Sequence, residues 1–170
     1  MDVRNKLIPK VIMLIVIGVV TLIIFFNSLG DVVASHQASG MVTDIILPGH
    51  DAEKDYLELI VRKMAHLIEY AVLGIAVMLF VKCVEKDYLK RLYGTALFYV
   101  LFVAVLDEYI QGFSGRTSST GDILLDFLGA LVGFAFVFAI LFVRKRLKNR
   151  NRYKVSAETA SEVEQKEAGR

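Results

Sequence analysis

Four long apolar runs constrain this chain more than any other feature. They are Val11–Phe26, extending through Asn27 and Ser28 to Leu29, then roughly Met64–Val81, Leu92–Phe113 and Ile123–Val143. A helix needs about 20 mostly apolar residues to cross a bilayer. In hydrocarbon every backbone N–H and C=O must be satisfied inside its own segment, so such runs fold as helices. The chain has 170 residues and is 55% hydrophobic, whereas a soluble domain is nearer about 45–50% apolar. The sequence therefore predicts an all-α, polytopic membrane protein with four transmembrane helices, with spans near residues 11–29, 64–81, 92–113 and 123–143.

Composition excludes several other classes. The apolar content is too high for a disordered chain. One cysteine, Cys83, rules out a disulfide framework. The net charge of +2 gives no electrostatic footprint for nucleic acid. Residues 1–143 read as one membrane domain. Residues 144–170 read as a polar, weakly ordered cytoplasmic tail, whose basic root from Arg144 to Lys154 should rest against anionic lipid head groups. The first run has the charged start of a signal peptide but a long apolar core and a poor cleavage site, so it reads as a retained anchor.

Direction follows from the basic residues beside the spans. Arg4, Lys6 and Lys10 precede the first. Lys82, Lys86, Lys90 and Arg91 join the second to the third. Arg144, Lys145, Arg146, Lys148, Arg150, Arg152 and Lys154 follow the fourth. The other two connections hold only Lys54, Arg62, Lys63 and Arg116. Both termini are thus expected in the cytoplasm, with two extracytoplasmic loops on a multi-pass protein of the cell membrane. The long outer loop, 30–62, carries apolar residues such as Val42, Ile45 and Leu47, which suit packing on the outer rim. Met41–Leu47 suits a short helix, and Glu53–Lys63 suits a helical lead-in to the second span.

With that direction, the ionisable residues inside the spans all fall in the outer half. Arg62, Lys63, His66, Glu69 and Tyr70 open span two. Asp107, Glu108 and Gln111 close span three. Asp122 and Asp126 open span four, and Arg116 lies in the short loop between the last two. Steps of three and four put Arg62, His66 and Glu69 on one helix face, and likewise Asp107 with Gln111 and Asp122 with Asp126. A charged side chain at the bilayer centre costs about 2.5–3.5 kcal/mol on insertion scales. Glu69, Asp107, Glu108 and Asp126 should therefore face one another or a wet cavity, not lipid. Gly129 and Gly133 form a GxxxG step just below Asp126, and Gly74 stands on span two, all suited to close helix contact. With no tryptophan, interface anchoring falls to Tyr70, Tyr88, Tyr93 and Tyr109. Cys83 reads as a buried or interfacial thiol.

These residues resemble the VanZ-like family of small membrane proteins. The resemblance rests on Arg62-Lys63-x-x-His66-x-x-Glu69-Tyr70, on Asp107-Glu108-x-x-Gln111 followed by Arg116, and on Asp122-x-x-x-Asp126-x-x-Gly129-x-x-x-Gly133, in that order. It covers roughly Val11–Val143. The segment from Asn27-Ser28 through Ser35 to Ser39-Gly40 is similar to the family's serine-containing outer loop. The resemblance implies a cell-envelope setting and an association with low-level resistance to the glycopeptide teicoplanin, without rebuilding of the peptidoglycan stem terminus. It implies a residue set and supplies no reaction.

Three readings of the outer cluster stay open. In the first, it is the site of an intramembrane enzyme acting on a lipid-linked envelope substrate. His66, Glu69, Asp107, Glu108 and Asp126 are the candidate catalytic groups, because neighbouring carboxylates push one another's proton affinities apart and an imidazole titrates near neutrality. Arg62, Lys63, Tyr70, Gln111, Arg116 and Asp122 are the candidate substrate-binding groups, with the guanidinium groups suited to phosphate. In the second, the same cluster binds a lipid, a lipid-linked precursor or a glycopeptide without turnover, or relays ions; four spans are few for a transporter, so this reading calls for a homo-oligomer. In the third, it is a salt-bridge network that locks the helix ends, with Asp122 a helix-capping acid.

A divalent metal is a subordinate expectation. His66 with Glu69, Asp107, Glu108 and Asp126 offers suitable nitrogen and oxygen ligands, and His36 and His50 lie in the outer loop. The chain has no HExxH, no glycine-rich phosphate loop and no GxSxG. The hydroxyl-rich stretch Ser114–Thr120 reads as a polar hairpin between helices.

Overall fold

A computed structural model describes residues 3–29, 40–41, 51–84, 89–113 and 119–168, with side chains placed at 7–29, 40–41, 56–84, 92–113 and 119–153. Four long helices carry it: α1 (Val3–Leu29), α2 (Asp51–Cys83), α3 (Leu89–Phe113) and α4 (Thr120–Ala168). There is no strand among the described residues. Each helix contains a segment long and apolar enough to cross a membrane: Leu7–Leu29, Tyr56–Cys83, Leu92–Phe113 and Thr120–Tyr153. The expected helical lead-in to span two is present, because α2 starts at Asp51. Arg116, His36, His50, Ser114, Thr117 and most of the proposed short helix at Met41–Leu47 lie outside the described residues.

The chain divides into two compact units, Met1–Phe134 and Ala135–Arg170. In the first, α1, α2 and α3 pack on one another. Side-chain bonds fix their directions. Thr21 pairs with Tyr99 at 2.8 Å, and Ser28 bonds to Asp107 seven and eight residues further along the two helices. So α1 and α3 run parallel. Asn27 near the end of α1 donates to Glu69 in mid-α2, while Ile17, nearer its start, shares a cavity lining with Val77 and Val81. So α2 runs against them. At the other end Lys82 donates to Tyr93 and lies 5.2 Å from its ring centre.

Lipid tails are as apolar as leucine, so burying leucine supplies little drive for helix association in a bilayer; close backbone approach supplies it instead. The glycines show where. A Cβ on Gly74 would meet the carbonyl oxygen of Ala130, one on Gly129 that of Leu67, and one on Gly133 that of Ala71. The GxxxG step of α4 thus presses directly on the backbone of α2. Large apolar side chains such as Leu22, Ile23, Phe26, Phe98, Phe102, Leu128 and Val132 point outward, as the lipid-facing surface of a span requires.

The second unit is the continuation of α4. Its apolar part exposes Phe136, Phe138, Ile140 and Phe142. Beyond it the basic stretch from Arg144 to Arg152 is helical and exposed, and Arg146 stacks 5.1 Å over the ring of Phe142.

Candidate functional site

The polar residues of the first unit gather at one end of the bundle. Buried among them are Ser28 from α1, Asp107, Glu108 and Gln111 from α3, and Asp126 from α4. Tyr70 of α2 is fully buried with them, and His66 is partly buried one turn earlier. By helical rise, Asp107 sits roughly 9 Å inside the end of α3 and Asp126 roughly 9 Å inside the start of α4. Carboxylates at that depth are held only where they face the bundle interior.

Asp107 is the hub. Its Oδ1 accepts the Ser28 hydroxyl. Its Oδ2 accepts Nε2 of Gln111 at 3.1 Å, one turn along the same helix. The Gln111 amide also lies 3.5 Å from the Ser28 oxygen. Nδ1 of His66 is 3.8 Å from Oδ2 of Asp107, too long for a hydrogen bond. Facing carboxylate and imidazole atoms from α2, α3 and α4 then come together: one ligand-type atom from each of His66, Asp107 and Asp126 lies within 4.8 Å of the others. Glu69, on the same face of α2, accepts 2.8 Å from Nδ2 of Asn27.

Glu108, the next residue on α3, accepts the backbone N–H of Ser119. That bond ties α3 to the start of α4. The first N–H groups of a helix have no partner within it, and here the sequence supplies two devices. The Ser119 hydroxyl accepts from Gly121 N at 3.2 Å, the geometry of an N-cap. Asp122 stands in the first turn, where negative charge is favoured by the helix dipole. The capping residue is therefore Ser119, and Asp122 is instead the partner of Lys63, at 2.5 Å across to α2. Arg62 lies partly buried one turn before His66. Arg116 is outside the described residues.

Tyr70 departs from the expected role of interface anchor. It is fully buried, because Gly129 opposite it has no side chain: a Cβ there would stand 3.1 Å from Cβ of Tyr70. Its hydroxyl lies within electrostatic reach of Asp107 and Asp126. Tyr109 is exposed and packs edge-on against Phe113.

The sequence profile of the VanZ/LLP1 family matches residues 12–143, a range that includes every residue of this cluster. The chain belongs to the VanZ/LLP1 family. No curated protein and no solved structure matches it significantly. In this VanZ/LLP1 protein the three motif segments that carry the resemblance meet at one end of one helical unit. The end of α1 joins them through Asn27 and Ser28, which are not among the site residues expected from sequence. Their signal was present: they are the polar break that ends an otherwise apolar run.

Proposed function

We propose that this cluster is an outward-facing site for the phosphate-bearing headgroup of a lipid-linked cell-envelope intermediate, and that its action there underlies reduced susceptibility to teicoplanin-type glycopeptides. The observation that carries the reading is the burial of Ser28, Asp107, Glu108, Gln111 and Asp126 from three helices at one end of the bundle, with His66 beside them. Polar groups at such depth mark function more often than architecture. The basic residues flanking the spans favour an outer position for that end. A cavity of about 180 Å³ among α1, α2 and α3, lined by Ile17, Val77, Val81, Ala96 and Tyr99, offers an apolar place for a lipid chain on the same helices. His66, Glu69 and Asp126 are the groups suited to exchange a proton with a bound headgroup, and Arg62, Lys63 and Arg116 are the cations suited to attract it.

A second reading, a network that only locks helix ends, is favoured by the bonds that already engage Asp107 and Glu108. One experiment separates the two. The wild type, His66→Ala, Glu69→Gln and Asp126→Asn are expressed in a susceptible Gram-positive host, membrane levels are matched, and teicoplanin and vancomycin susceptibility is measured. Protection by the wild type and none by the variants is expected. Equal protection by all four makes the cluster architecture. No protection by the wild type removes the resistance role.

A further inference from the structure

We propose that His66, Asp107 and Asp126 form a binding site for one divalent first-row metal ion. The three residues come from three different helices, α2, α3 and α4, and their ligand-type atoms lie within 4.8 Å of one another. Metal–ligand bonds of about 2.0–2.2 Å place donor atoms roughly 3–4.4 Å apart. The three donors therefore stand slightly wider than a closed site requires, and side-chain rotation has to draw them together by about one bond length or less. Both carboxylates are buried, Asp107 completely. Two carboxylates side by side in a membrane-spanning bundle repel one another, and a divalent cation between them turns that repulsion into attraction.

The surroundings of the three residues resemble the outer sphere of a metal site. Ligating carboxylates are themselves held by hydrogen bonds, which fix their orientation. Asp107 is held in this way by Ser28 from α1 and by Gln111 from its own helix. A separate observation points to an additional ligand. The Tyr70 hydroxyl is fully buried near Asp107 and has no partner at full hydrogen-bond geometry. A donor buried so deeply needs an acceptor; the Asp107 carboxylate is the one at hand, and where a metal draws that carboxylate away, a water held on the ion would take its place.

Donor chemistry sets the ion class. One imidazole with two carboxylates suits Zn²⁺ or Mn²⁺ and does not suit thiolate-seeking ions such as Cu(I). Three protein ligands leave coordination positions open, the pattern of a reactive site and not of a closed structural one. The assignment stands independently of the phosphate reading; where that reading also holds, a phosphate oxygen is the natural occupant of an open position.

The test uses the full chain, purified in lipid nanodiscs and stripped with chelator. Mn²⁺ is titrated in, free Mn²⁺ is read by electron paramagnetic resonance, and Zn²⁺ is added as competitor. Saturable binding of about one ion per chain is expected, with a rise in thermal midpoint on loading. His66→Ala and Asp126→Asn should each weaken binding by about tenfold or more. Glu58→Gln, an acid on α2 more than two turns before His66, should bind as the wild type does. Each variant is checked for cooperative unfolding, and His66→Gln replaces any that fails. Absence of saturable Mn²⁺ and Zn²⁺ binding by the wild type, or equal binding by the His66 and Asp126 variants, overturns the site. Either result leaves the susceptibility experiment untouched. Conversely, a protein that binds Mn²⁺ but protects no cell keeps the metal site and loses the resistance role.

Discussion

Ser28, at the end of α1, donates its hydroxyl to Oδ1 of Asp107 on α3, and both side chains are completely buried. This bond joins the first span to a cluster that the other three spans would otherwise build alone. Replacing Ser28 by Ala removes the hydroxyl that Oδ1 of Asp107 accepts, while Gln111 still donates to Oδ2. Loss of a buried bond to a carboxylate costs about 1–3 kcal/mol. Ser28→Ala is expected to lower the thermal midpoint in detergent by an amount of that order. It should also weaken Mn²⁺ binding by roughly tenfold, as loss of an outer-sphere partner does. A lowered midpoint with unchanged ion binding would mean that Ser28 serves the bundle and not the site.

The glycines make a sharper contrast. Gly133 and Gly129 press on backbone oxygens of α2, whereas a Cβ on Gly18 or Gly94 meets nothing within 4 Å. Gly133→Val has no room without pushing α4 away from α2, which would also separate Asp126 from His66 and Asp107. Overpacking of this kind costs typically about 1–3 kcal/mol. Gly18→Ala is expected to be neutral or to stabilise by up to about 1 kcal/mol. Thermal unfolding of both variants in the same detergent checks the pair, and equal midpoints would deny the α2–α4 contact.

The pair Lys63–Asp122 is short, at 2.5 Å, but its side chains remain 44% and 30% exposed. Partly exposed pairs contribute little, about 0–1 kcal/mol. Lys63→Ala and Asp122→Ala are each expected to leave stability almost unchanged, with a coupling energy below about 1 kcal/mol in a double-mutant cycle. A large coupling would point to a helix-locking role for these charges, the structural alternative to a working site.

Much of this arrangement is legible in the sequence because the bilayer leaves few options. Apolar runs as long as Leu92–Phe113 and Ile123–Val143 have to be helices, and buried acids have to face inward. That reasoning names Glu69, Asp107, Glu108 and Asp126, of which Asp107, Glu108 and Asp126 are buried in the bundle and Glu69 is only partly so. It stops where the answer depends on which helix faces which. Asp122 reads equally well as a cap or a ligand until Ser119 is seen to take the cap and Lys63 to take Asp122. Tyr70 reads as an interface anchor because spacing along one helix carries no information about Gly129 on another. Asn27 and Ser28 close an apolar run, and only the packing of α1 parallel to α3 and against α2 turns them toward Asp107 and Glu69.

The outward position of the cluster is the remaining premise, and chemical labelling tests it directly. The basic residues that flank the spans predict the connection after α3 outside and the connection after α2 inside. Cys83 is exposed near the end of α2, so it is replaced by serine to give a background free of thiols. Thr117→Cys, in the connection before α4, is then expected to react with a membrane-impermeant maleimide in intact cells. Lys86→Cys, in the connection after α2, should react only after the membrane is permeabilised. Parallel blots of the two variants at matched expression give the answer. The reverse pattern would turn His66, Asp107 and Asp126 toward the cytoplasm. There they would meet neither an extracellular glycopeptide nor an outward-facing lipid headgroup, and the proposed envelope role would fall while the helical bundle and its cluster stood unchanged.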